Sequence, residues 1–150
     1  MEVKKGFVVG RVGFEYNDEI FTQGEDSGVT PLKVFSTRER AKAEVVARTI
    51  DQLRKMDRYD SLGCYGYSVD EVINDPHALV EILFPHLVDA NIVEADDSVE
   101  AVVYNKLDDD MYSFFEEVTP IITKLSDYEL AALVKTLAIK FFEVYEVEVE

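Results

Sequence analysis

Residues 143–150, Glu143-Val144-Tyr145-Glu146-Val147-Glu148-Val149-Glu150, repeat with a period of two. Tyr145, Val147 and Val149 fall on one side and Glu146, Glu148 and Glu150 on the other, the pattern of a half-buried β-strand. A strand at the end of a chain needs a sheet to join. The other β-prone stretch lies at the opposite end, where Phe7, Val8, Val9, Val12, Phe14 and Tyr16 are interrupted by Gly6, Gly10 and Gly13. Pairing the two ends would bring the terminal glutamates near Lys4 and Lys5, and opposite charges across strands contribute about 0.2–1 kcal/mol per pair.

Residues 3–35 read as an antiparallel β-meander. Asn17-Asp18 is a turn-type pair, followed by a second strand over Glu19-Ile20-Phe21-Thr22. Gln23 to Pro31 is a loop rich in Gly, Asp and Ser, and Leu32 to Phe35 is a third short strand. A turn at Gly10 to Gly13 is an alternative to the one at Asn17-Asp18.

Between the two ends the pattern is helical. Ser36-Thr37-Arg38-Glu39 has the form of a capping box, with the serine oxygen accepting from the N–H three residues on. The helix it opens runs to about Lys55, with Ala41, Val45, Val46, Ile50, Leu53 and Met56 as its apolar stripe. Asp57 to Tyr67 reads as a loop. Ser68 to Glu71 forms a second capping box, opening a helix that ends near Asn74. Asp75-Pro76 is an N-cap with proline at the first helical position; that helix should end near Phe84, before Pro85, with a turn at His86 to Ala90. Residues 91–107 suit either helix or strand. Helix is preferred, capped by Asp96, Asp97 or Ser98. Asp108-Asp109-Asp110 precedes a helix through Met111, Phe114, Phe115 and Val118 that Pro120 should close. Ser126 to Glu129 is a third capping box, opening a helix through Phe141. The fold class is α+β: an N-terminal antiparallel meander, a long helix, then a helical part with a final strand able to join the sheet.

The chain has 150 residues, 47% of them hydrophobic, enough to bury a core in one domain. One cysteine, Cys64, excludes an internal disulfide. The apolar stretch after Lys4-Lys5 is broken by Arg11 and glycines, unlike a signal peptide, and no apolar run approaches the ~20 residues of a membrane span. A cytoplasmic protein, not membrane-bound, is the expectation.

The net charge is −16, which disfavours direct binding to nucleic acid or anionic lipid. It is unevenly spread. Residues 1–58 hold 11 Lys/Arg against 10 Asp/Glu, a net of +1, whereas residues 59–150 hold 4 against 21, a net of −17. The single domain of residues 1–150 is therefore expected to have a near-neutral β-β-β-α part and an acidic, mainly helical part.

Motifs for chemistry are weak. Gly10-Arg11-Val12-Gly13 lacks the complete dinucleotide-binding pattern and no helix follows it, so strand glycines at a bulge or close contact explain it better. Cys64 has no histidine in a catalytic context, and His77 and His86 lie nine residues apart, on opposite faces of a straight helix. Three consecutive aspartates lack the alternation and glycine of a calcium loop. No cofactor and no metal is expected.

Two functions follow. The first is an acidic interaction protein that binds a basic protein partner, resembling inhibitors and immunity-type proteins in charge and size, not in sequence. Its candidate contact residues are Asp96, Asp97, Asp108, Asp109, Asp110, Glu116 and Glu117. The alternative is an enzyme or ligand binder with a dispersed site drawn from Glu15, Asp18, Tyr65, Tyr67 and His77. Pairing of copies through a sheet edge is a further possibility.

Overall fold

The structure, a computed structural model, describes residues 4–12, 15–17, 20–22, 29–56, 73–137 and 140–149. Lys4–Val12 (β1) is the central strand of a three-stranded antiparallel sheet, flanked by Val29–Phe35 (β4) and by the C-terminal strand Phe142–Val149 (β5). Glu15–Asn17 (β2) and Ile20–Thr22 (β3) pair separately, with Asn17 opposite Ile20, so the chain reverses between them as the Asn17-Asp18 reading expects. The turn at Gly10 to Gly13 is not used, because Gly10 and Arg11 lie within β1 and pair on both sides.

The α+β expectation holds, and the final strand joins the sheet. Lys4 to Arg11 pair with Val149 to Phe142, and Lys5 Nζ lies 3.5 Å from Glu146 Oε2. One feature of the tail departs from its sequence pattern. Val9 stands opposite Val144 and Arg11 opposite Phe142; Val9 and Phe142 belong to the core, and the half-buried Val144 packs against it. Tyr145, Val147 and Val149 therefore point to the far face of the sheet. The apolar side of the alternation is not the side that meets the helices.

Arg38–Arg54 (α1) packs across the sheet. Its N-cap is Thr37, not Ser36: the Thr37 hydroxyl accepts from the Arg40 N–H at 3.3 Å. Phe35 is still paired with Phe7 in β4, which delays the helix by one residue. Ala41, Thr49, Leu53 and Met56 are buried, while Val46 is exposed. The expected helix from Ser68 lies outside the described residues, apart from Ile73 and Asn74. Ile73 bridges Leu137, and the Asn74 N–H donates to Thr136 O at 2.7 Å.

Pro76–Asp89 (α2) is capped by Asp75, which accepts from the Ala78 N–H at 3.0 Å. It does not stop before Pro85. Proline removes the bond to the carbonyl of Glu81, but Glu81 and Pro85 are exposed, where water can serve that carbonyl. Leu79, Val80, Leu83 and Leu87 are buried on the other side and carry the helix onward. It ends in a Schellman motif, with Asn91 at φ 60° and the Ile92 and Asn91 N–H groups donating to Leu87 O and Val88 O.

Residues 98–107 are helical, as preferred. Ser98 is the cap, accepting from the Ala101 N–H at 3.1 Å, ahead of Val99–Val102 (α3). The helix then widens to a π-helical turn over Val103–Leu107, closed by the Asp108 N–H on Val103 O at 2.8 Å. Val102 and Leu107, five apart, are both buried, and the extra residue in the turn accommodates the pair.

Met111–Ile122 (α4) continues through the exposed Pro120, because Val118, Thr119 and Ile122 are buried and carry the helix onward. Asp127–Thr136 (α5) has the capping box read at Ser126 and Glu129, with bonds of 3.1 and 3.2 Å. It ends at Thr136 rather than Phe141, where Leu137 becomes extended and bridges Ile73. The core joins all these layers, from Val9 and Phe142 in the sheet through Leu53 to Leu83, Phe115 and Leu133. Among the described residues no helix is long and apolar enough to cross a membrane.

Candidate functional site

The acidic residues singled out in the sequence lie on two turns and one helix of the helical layer. In the turn before α3, the Glu94 N–H donates to Asp97 Oδ2 at 2.9 Å and the Asp97 N–H donates to Glu94 O at 3.1 Å. Asp96 and Asp97 are exposed there. Asp97 also borders a recess of about 100 Å³ with Ala101, Asn105 and Lys106, room for a few waters.

At the far end of the π turn, Asp108 and Asp109 are exposed, and Asp110 is the N-cap of α4. Its carboxylate accepts from the Ser113 N–H at 3.0 Å and the Ser113 hydroxyl at 2.8 Å. These bonds, the backbone one foremost, hold its pKa below the ordinary carboxylate value. Of the three aspartates it alone caps the helix. Glu117, seven residues on from Asp110, returns to the same side of α4 after two turns and is exposed, while Glu116 is half-buried. The fold therefore strings the candidate residues along the α3–α4 segment, with Asp96 and Asp97 at one end of the α3 helical stretch and Asp108 to Asp110 at the other.

Three of the α1 cations and the adjoining Lys55 are directed elsewhere. Arg38 Nη2 reaches Glu146 Oε1 at 3.2 Å, and Arg54 joins Asp127. Arg48 and Lys55 pair with Glu44 and Asp51 on α1 itself. Arg38 also lies over the Phe7 ring, 5.0 Å from its centroid. The near-neutral part of the chain thus uses these cations on carboxylates outside the candidate set.

Sequence reading missed a second polar cluster. His86 Nε2 lies 2.6 Å from Glu129 Oε2, and Glu129 is also the capping-box acceptor of α5. The histidine bond, followed by the Ser126 backbone bond, lowers the pKa of Glu129 below the ordinary value. Beside His86 an open depression is bordered by Asp89, Pro120, Ile121 and Lys124. Residues 43 apart in sequence form the pair, so no local spacing could announce it.

Of the dispersed set, His77 is exposed in the first turn of α2 and Glu15 lies in β2, while Asp18, Tyr65 and Tyr67, like Cys64, fall outside the described residues. Among the described residues no three His, Cys, Asp or Glu are grouped to hold a metal ion. Comparison with protein-family models, with curated protein sequences and with solved structures gives no match to the chain.

Proposed function

We propose that the protein is an interaction module whose acidic helical layer binds a basic protein partner. The observation that carries this reading is the exposure of Asp96, Asp97, Asp108, Asp109 and Glu117 on the α3–α4 segment while Arg38, Arg48, Arg54 and Lys55 are engaged with other carboxylates. Exposed carboxylates gathered on the turns and helix of one layer present a negative surface. Such a surface accelerates encounter with a positive one and discriminates against acidic competitors.

The experiment is affinity capture from cells at low salt, then association kinetics of the captured protein over a salt series. Association should slow steeply between about 50 and 500 mM salt as the Debye length shrinks. Replacing Asp96, Asp97, Asp108 and Asp109 with asparagine should flatten that slope. Asp110 is left intact because it caps α4. An association rate indifferent both to salt and to the four substitutions would overturn the reading.

A further inference from the structure

One face of the sheet rests on α1 and the core; the other is largely apolar, and among the described residues no helix packs on it. Val29, Val34, Tyr145, Val147 and Val149 surround Val8 on this outer face. Val8 is 4% exposed, yet stands apart from the main core cluster, between its register partners Val34 and Tyr145. Val34 is 58% exposed, Val149 41% and Val29 38%. Gly6 and Gly10 keep the central strand low on this side. A Cβ at Gly6 would lie 2.9 Å from Val149 Cγ2 and 3.1 Å from Val34 Cγ1, and one at Gly10 would lie 2.3 Å from Val29 Cγ1 and 3.2 Å from Tyr145 Cε1. Side chains of both edge strands therefore close over β1 and make one continuous apolar surface. Monomeric proteins seldom leave such a surface without a use.

We propose that this face docks a second copy of the same chain, sheet against sheet, about a two-fold axis. Charge restricts how two copies can meet. Each copy carries −16, so most contacts between copies are repulsive. Apposing the outer sheet faces puts both acidic helical layers on the far sides of the pair. A basic partner, by contrast, is drawn to the helices and gains nothing from a neutral valine surface.

The charged residues of the face fit the same symmetry. Lys4, opposite Val149, and Glu143, opposite Gly10, lie towards its two ends along the strands. A two-fold axis across the strands points Lys4 of one copy towards Glu143 of the other. Edge-to-edge pairing through β4 is less suited, because Pro31 removes a backbone donor from that strand.

The area sets the strength. Seven to nine residues per strand and three strands, at ~3.3 Å per residue and ~4.8 Å between strands, give a footprint of roughly 350 Å² per copy. That is about half of the ~800 Å² per partner in a standard interface, so the dimer is weak and reversible.

Sedimentation of the whole chain from about 10 μM to about 1 mM, at about 50 and about 500 mM NaCl, tests the proposal. A monomer–dimer equilibrium should appear and strengthen with salt, since screening relieves the repulsion between copies. This trend is opposite to that of basic-partner binding. Val34→Lys should weaken the dimer at least about tenfold with an unchanged circular dichroism spectrum, and Val149→Lys should do the same if the first variant misfolds. Val46→Lys, exposed on α1, should leave it unaltered. A monomer under all conditions, or a dimer indifferent to folded Val34→Lys and Val149→Lys, would overturn the inference. Either result leaves the basic-partner reading standing, because no partner takes part in the measurement.

Discussion

Arg54, the last residue of α1, holds the near-neutral part of the chain to the acidic helices, and its replacement by alanine should be costly for a reason other than its ion pair. Its Nη1 lies 3.0 Å from Leu125 O and 3.5 Å from Thr123 O, and its Nη2 meets Asp127 Oδ1. The two carbonyls belong to the junction where α4 ends, at which helix carbonyls lack internal partners and a cation is favoured. The 3.5 Å contact is too long to count for much. The 3.0 Å bond is charge-assisted, and with solvent re-entering after deletion it is worth about 1 kcal/mol. The Asp127 side chain is 85% exposed, so the ion pair adds no more than roughly 0.5 kcal/mol. Burial of the arginine stem adds about another 0.5 kcal/mol. Arg54→Ala should therefore lower stability by about 2 kcal/mol in urea titrations with an unchanged slope, and about 0.5 M salt should not erase the loss. Asp127→Asn should cost less than about 0.5 kcal/mol, and Arg54→Lys, which keeps the charge but loses the fork, should fall between. Equal costs for Arg54→Ala and Asp127→Asn would show that the ion pair, not the carbonyl bond, holds the junction, and the reasoning would be wrong.

Two further outcomes are expected. Gly10→Ala should destabilise by about 1–3 kcal/mol through overpacking, because its Cβ meets Val29 Cγ1 at 2.3 Å; Val29→Ala should restore part of the loss, and calorimetry on the two single variants and the double variant measures it. The folded-state pKa of Glu129 is depressed by His86 and Ser126, so its contribution to stability is complete above the unfolded carboxylate pKa and fades as pH falls through the lower folded one. Glu129→Gln should accordingly flatten the acid limb of a urea-midpoint-against-pH curve, and an unaltered limb would count against the His86–Glu129 bond.

Much of the secondary structure was legible because its signals are local. Asp75, Ser98, Asp110 and Ser126 cap the helices that follow them, each accepting the N–H three residues ahead, a bond that needs only neighbouring residues. The strand character of the last eight residues was equally plain. The candidate acidic residues could be named from composition and turn position, since exposed carboxylates near caps follow from sequence alone.

The remainder belonged to the tertiary structure. Pro85 and Pro120 end no helix, because the cost of one missing bond is outweighed by burial of Leu87 and Ile122 beyond them. Arg54 and Leu125, 71 residues apart, meet only after the helices pack. The alternation of the tail defined two faces but not which would turn inward. Opposition of Val9 to Val144 settled it, placing Phe142 in the core with Val144 against it, and Tyr145, Val147 and Val149 on the other side. Period-two patterning reports a difference between two sides of a strand; only the register with a neighbour, itself set by burial elsewhere, decides which of them meets the core.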